Sequence, residues 1–236
     1  MNICILLTAT IAPHNVPNLK RFDHLQREND YLEAIKFYSK FKIPIVFCEN
    51  SNTKSEKILN FLKNKKIYFE YFSFESKKSI EGKGKGEAEI LSYAFLNSKI
   101  LSKSKSIVKI TGRYKIKNFL KQVKSVKDNT IYINLTKSLS YSDSRFFILN
   151  TFFYKHYFSK EFNKIDENNN IFMEHILLKT TLNYIADFNN WSLPKQKIIY
   201  EGVYGTDNTS YKNSKIKQLL KEVFYKLKVY LLKSNL

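Results

Sequence analysis

The chain has 236 residues, 43% of them hydrophobic and 15% aromatic, enough apolar surface for one large domain with its own core, which excludes a globally disordered protein. A formal charge of +19 points first to nucleic acid or an anionic membrane as a partner. Only four of the 40 basic residues are arginines (Arg21, Arg27, Arg113 and Arg145), whereas nucleic-acid readers rely on Arg forks for phosphates and guanine edges; the Lys-, Asn- and Ile-rich composition of an AT-rich genome accounts for the excess, and no nucleic-acid partner is expected.

Residues 3–7 form a wholly apolar run, which predicts a buried strand of a mainly parallel sheet. Cys4 lies in it and Cys48 in a second such run, 44–48; two buried thiols give no disulfide framework and suit a reducing compartment. No basic n-region opens the chain, and no apolar run reaches the roughly 18 residues of a membrane span, so the expectation is a cytoplasmic protein. A loop through Pro13 and Pro17 leads to a predicted helix over 27–41, with Tyr31, Ile35, Phe37 and Tyr38 on one side. A helix over 55–62, a strand over 67–74, a glycine-rich loop over 82–86, a helix to about 101 and a strand over 106–110 follow, a βαβ series. The second half is less regular, with strands expected at 130–134, 145–153 and 197–203 and a helix at 172–185. From Lys215 the last 22 residues read as a helix with Ile216, Leu219, Leu220, Val223, Phe224 and Leu227 on one face and lysines at 215, 217, 221, 226, 228 and 233 beside them. Such a stripe more often docks on its own domain; the alternative is that it lies on a membrane surface. The expected organisation is one catalytic domain over 1–210, divided into halves 1–115 and 116–210, with a basic amphipathic helix over 211–236.

An open α/β sheet binds ligands at the carboxyl ends of its strands. Those ends carry Thr8-Ala9-Thr10, Glu49-Asn50-Ser51, the loop 82–87, and Thr111-Gly112-Arg113-Tyr114. All six glycines lie at 82, 84, 86, 112, 202 and 205, where a backbone needing positive φ or close approach is expected. Gly82-Lys83-Gly84-Lys85-Gly86-Glu87 precedes a helix, and its amides and lysines can hold a phosphate; the alternative is a surface turn capped by Glu87. It lacks the Lys-Ser/Thr pair of a Walker A loop. No two aspartates are two residues apart, so no Asp-x-Asp holds a metal; Lys109 or Arg113 would neutralise a diphosphate in its place. Asp143 and Arg145 either contact sugar hydroxyls or pair with neighbours. Glu174, in the first turn of a helix, is the candidate general base with Asp143 as alternate; stabilising the helix dipole is the competing role for Glu174. The histidines at 14, 24, 156 and 175 show no metal-ligand spacing, and His175 reads as a packing or supporting residue.

In order along the chain, Leu6-Leu7-Thr8-Ala9-Thr10-Ile11, Arg27 with Asp30-Tyr31, Ala34 and Phe37-Tyr38, Val46-Phe47 with Glu49-Asn50-Ser51, Gly82 to Glu87, Lys109 to Tyr114 and Ser142 to Phe147 resemble bacterial capsule, O-antigen and lipooligosaccharide glycosyltransferases with a GT-A-like fold. The resemblance covers about residues 3–205. It implies an α/β, Rossmann-like, mostly parallel central sheet flanked by helices, a nucleotide-sugar donor on the N-terminal half and a glycan or lipid-linked acceptor on the C-terminal half. Donor contacts then fall to Thr8, Thr10, Glu49, Asn50, Lys83, Gly86, Lys109, Thr111, Gly112 and Arg113, and acceptor contacts to Asp143, Arg145 and His175. The absent Asp-x-Asp departs from the commonest GT-A pattern, so no essential cofactor is expected and no motif supports a divalent metal. Peripheral contact with the inner face of an anionic membrane through the C-terminal helix is the further partner expected. Two other classes remain: a sugar nucleotidyltransferase, whose usual Gly-rich loop after the first strand is replaced here by Thr8-Ala9-Thr10, and a basic nucleic-acid-binding module, which would show salt-sensitive binding to any duplex.

Overall fold

The computed structural model describes residues 2–13, 20–124, 126–203 and 215–235, with side chains in the last stretch described over 222–232. His14, Pro17, Gly205, the 210/211 boundary and the side chains of Ile216, Leu219 and Leu220 lie outside the described residues.

The N-terminal half alternates as expected. β1 (Ile3–Ala9) and β2 (Ile45–Glu49) are buried along their whole length, β3 (Phe69–Ser73) is half-buried at the sheet edge, and β4 (Ser106–Thr111) is buried up to its last residue. Between them run α1 (His24–Ser39), α2 (Glu56–Asn64), α3 (Lys83–Asn97) and the short α4 (Lys99–Lys103). Caps set the helix starts: Asp23 accepts the Gln26 N–H at 2.8 Å, and Ser55 accepts the Ile58 N–H at 3.2 Å.

Beyond β4 lie β5 (Lys115–Ile116), α5 (Phe119–Val123), β6 (Ile131–Tyr132) and β7 (Phe146–Leu149). The strand expected over 145–153 stops at Leu149 because the Asn150 side chain accepts the Phe153 N–H at 2.8 Å and starts a helix, α6 (Thr151–Phe153), continued by π-helical and 3-10 turns to Lys164. α7 (Met173–Phe188) ends on Asn189, whose φ of 50° is left-handed. β8 (Trp191–Ser192) follows, and the strand expected over 197–203 shrinks to β9 (Tyr200–Glu201), paired antiparallel with β5.

Seven strands form the main sheet in the order β3-β2-β1-β4-β7-β6-β8. β3, β2, β1 and β4 run parallel to one another, and β7 runs antiparallel against β4. Alternation along the strands sends Ile5 and Leu7 into one apolar layer with α1, and Cys4 and Leu6 into the other with α3 and α7.

α8 (Lys215–Asn235) corrects an expectation. The described part of the face predicted to dock points outward: Val223, Phe224 and Leu227 are 66%, 67% and 52% exposed. The helix is seated instead by Tyr225 and Leu232, both buried, with the Tyr225 hydroxyl donating to the Pro194 carbonyl at 2.5 Å. Tyrosine can bury its ring while its hydroxyl finds an acceptor, and an apolar stripe alone does not reveal that alternative seat.

Candidate functional site

The chain passes from β1 to β2 and β3 on one side and returns to β4 on the other, so the strand order reverses between β1 and β4. A crevice opens outside the carboxyl ends of such a pair. A cavity of about 300 Å³ lies there. Thr8, Ala9 and Thr10 line it from β1, Thr111, Arg113 and Tyr114 from β4, Arg27 and Tyr31 from α1, and Lys83, Gly86 and Glu87 from the start of α3. Because β7 is antiparallel to β4, its leading residues Ser144 and Arg145 reach the same rim, and Glu174 from α7 closes it.

Backbone proximity holds β1 and β4 together at this end. The Gly112 N–H donates to the Thr8 carbonyl at 2.8 Å, and a Cβ at Gly112 would lie 2.8 Å from that same oxygen, closer than real Cβ atoms approach. Glycine is required here for close approach.

The four lining cations differ in their partners. Arg27 is 3% exposed and donates to the carbonyls of Thr10 (2.6 Å) and Arg21 (3.0 Å) and to the Tyr31 hydroxyl (3.1 Å). Half-buried Arg113 donates to the Val203 carbonyl (3.3 Å) and the Tyr114 hydroxyl (3.1 Å), with its guanidinium 4.8 Å from the Tyr114 ring centroid. Among the described residues neither guanidinium has a carboxylate partner. Burial is the largest influence on Lys83 and holds its ammonium below the usual lysine value; nearby Glu167 opposes that shift, while Arg113 and Arg27 add to it. Arg145 is gripped by Asp143, with Nε to Oδ1 and Nη2 to Oδ2 both at 2.8 Å, and lies over the Tyr200 ring at 4.3 Å.

Several expected residues sit elsewhere. Lys109 has no exposed side-chain surface and lies behind the cavity wall, where its ammonium pairs with Glu87 and donates to the Ser144 carbonyl at 2.6 Å. It neutralises a carboxylate and is not presented to a ligand. Glu49 is fully buried and organises the turn after β2, accepting from Ser51 N (2.9 Å), Ser51 Oγ (2.6 Å), Thr53 N (2.7 Å) and the Ser73 hydroxyl. His175 stays off the cavity wall and accepts the Phe172 N–H at Nδ1 (3.1 Å), fastening the start of α7. Asp143 is occupied by Arg145 and by the Tyr200 hydroxyl at 3.0 Å, its side chain 12% exposed.

The glycine-rich segment is the start of α3 and not a loop. Glu167 packs against Gly82, where φ is 147°, and accepts the Gly84 N–H, while Gly86 N donates to the Gly82 carbonyl at 3.1 Å. The helix entrance is therefore capped by the chain's own carboxylate. Lys83, and not the Gly84 or Gly86 amide, is what this segment offers an anion.

Two carboxylates and an amide organise the remaining polar groups. Glu87 Oε1 accepts from Thr8 (3.0 Å) and Thr111 (3.4 Å) as well as Lys109, and Thr10 donates to Asn50 Oδ1 at 2.6 Å. Glu174 Oε1 accepts the Ser144 hydroxyl at 2.6 Å, and its Oε2 has no protein partner among the described residues. Sequence reasoning assigned no ligand role to Arg27, Tyr31, Glu87 or Ser144. Arg27 carries a signal, as one of four arginines in a lysine-rich chain, and Glu87 reads from the sequence as a cap.

No protein-family model matches the chain. No curated protein matches its sequence. Among solved structures, core-mannan synthase A (CmsA/Ktr4) from Aspergillus fumigatus, in its Mn/GDP form, aligns with a TM-score of 0.52 at 12% identity over 91% of this chain and 79% of that one. The mannosyltransferase Ktr4p from S. cerevisiae, in complex with GDP, gives 0.52 at 11% over 91% and 74%. The fold is GT-A-like. At this identity the likeness carries the fold alone. Among the lining carboxylates Glu87 is already paired with Lys109 and Glu174 stands across the cavity on another helix, and among the described residues no three His, Cys, Asp or Glu side chains group as a cage for a metal ion.

Proposed function

We propose that this chain is a glycosyltransferase. In this reading it moves a sugar from a nucleoside-diphosphate donor to a glycan or lipid-linked acceptor in bacterial surface polysaccharide synthesis (capsule, O-antigen or lipooligosaccharide), in the cytoplasm. One observation carries it: the guanidiniums of Arg27 and Arg113 face a cavity at the switch point of a GT-A-like sheet with no carboxylate beside them among the described residues. A desolvated cation without a counter-ion is expensive, and an anionic ligand supplies one. Two fully buried free thiols agree with a reducing compartment.

The chemistry follows from the walls. The diphosphate lies against Arg113 and Lys83, with Thr8, Thr10, Asn50 and Thr111 around the donor. An acceptor hydroxyl entering beside Arg145 attacks the anomeric carbon, and its proton passes to the open oxygen of Glu174. The bond from the anomeric carbon to the phosphate oxygen breaks, and the nucleoside diphosphate leaves with the electron pair, its charge met by arginine and lysine instead of a protein-caged metal.

The test is a thermal-shift screen of nucleoside diphosphates and their sugars, with and without chelator. One nucleotide class should raise Tm at chelator concentrations that strip any divalent ion, because a ligand at 100 times its Kd stabilises the native state by about 2.7 kcal/mol. No shift with any member sinks the donor assignment; a shift that vanishes in chelator and returns with manganese sinks the metal-free part alone.

A further inference from the structure

We infer that α8 docks this protein on an anionic lipid bilayer. The helix has two apolar faces and the domain uses one. Tyr225 and Leu232 are buried against the domain, and the Lys228 ammonium donates to Asn134 Oδ1 at 2.7 Å. On the other side Val223, Leu227 and Tyr230, spaced i, i+4 and i+7, are 66%, 52% and 72% exposed, with Phe224 beside them at 67%. These side chains form one continuous outward stripe, and no described part of the chain covers it.

Charge decides which occupant fits. Lys215–Asn235 holds six lysines and one acidic residue, Glu222, a net of +5. A second copy would set this charge against its like. Anionic headgroups would meet it, while the stripe enters the boundary between headgroups and acyl chains. An exposed tyrosine and phenylalanine at the stripe suit that boundary, where a ring can be half wet. No helix among the described residues is long and apolar enough to cross a membrane, so α8 would lie on the surface.

The seat of α8 ties this surface to the cavity. Asn134, which holds Lys228, also accepts the Asp143 N–H at its carbonyl (2.9 Å), and Asp143 grips Arg145 on the rim. If the glycosyl-transfer reading holds, an acceptor anchored in the same bilayer presents its sugar next to that rim. Vesicle binding itself needs no donor and no turnover, so the two readings fail separately.

The experiment is co-sedimentation of the full chain with vesicles of equimolar phosphatidylglycerol and phosphatidylcholine, and of phosphatidylcholine alone. The protein should pellet with the anionic vesicles and bind the neutral ones about tenfold less or weaker. The double variant Phe224→Asp, Leu227→Asp should lose about tenfold or more of the anionic binding with an unchanged melting temperature, because both side chains point away from the domain. A Tyr230→Ser variant, milder in its effect on folding, should show a smaller loss in the same direction. Protein left in the supernatant with anionic vesicles overturns the inference. So does equal binding by the double variant, or a vesicle-free dimer that the double variant dissociates.

Discussion

Among the described residues Arg113 is held by neutral partners, the Val203 carbonyl, the Tyr114 hydroxyl and ring, and the Tyr31 hydroxyl. Its charge is therefore available to a ligand, and Arg113→Ala should lower turnover by about a hundredfold or more while leaving the melting temperature within a few degrees. Near-normal kinetics in that variant would remove it from the site. Lys83 gives a pH-dependent counterpart. Desolvation holds its ammonium below the ordinary lysine value, so as pH rises it loses its charge earlier than an ordinary lysine does. Donor affinity should thus fall on the alkaline side earlier than an ordinary lysine would allow, and Lys83→Arg should flatten the profile because a guanidinium does not titrate there. Superimposable profiles would contradict this. Arg113 was legible as a residue type at a strand end. The fate of Lys109 was not, because a lysine four residues upstream on a buried strand points wherever the neighbouring helix places a carboxylate, and Glu87 is 22 positions away in sequence.

α3, β1 and β4 meet at the Glu87–Lys109 pair, where a cation with no exposed side-chain surface faces a carboxylate 19% exposed. Glu87→Ala would strand the buried ammonium on the Ser144 carbonyl and should cost about 3 kcal/mol or more of stability, read by denaturant unfolding. Adding Lys109→Met should recover a substantial part of that loss, since the uncompensated charge goes with it; a double variant as unstable as the sum of the singles would show that the pair is not coupled. The strands and helices of the first half were readable because apolar runs of five to seven residues alternate with capped amphipathic segments. The second half was harder for a local reason. Asn150 interrupts two apolar stretches that read as one strand, yet its side chain starts a helix, and the Glu167 that caps α3 comes from 83 positions further on.

On the scale of the whole molecule, the two apolar layers make the central sheet inaccessible from either side. Cys4 and Cys48 sit in one layer with no exposed surface, and burial pushes the Cys4 thiol up to about 12 and the Cys48 thiol higher still. Neither should react with an alkylating reagent at neutral pH except through global opening, so the labelling rate should follow denaturant stability. Labelling that is fast and indifferent to stability would mean a loosely closed sheet. The mixed strand directions could not be read from composition or period, since a buried strand looks alike in both senses. That reversal has a consequence for how such a protein diversifies. With Thr111 N donating to the Arg145 carbonyl at 2.9 Å, the last residue of one strand is latched to the approach of its antiparallel neighbour. The intervening chain runs out through an exposed turn at 127–129 and back, and the latch does not depend on its length. Insertions or deletions at that turn, which sits by the entry to β4 where Asp128 pairs with Lys105, would reshape the end of the molecule away from the cleft and leave the two halves of the cleft in register.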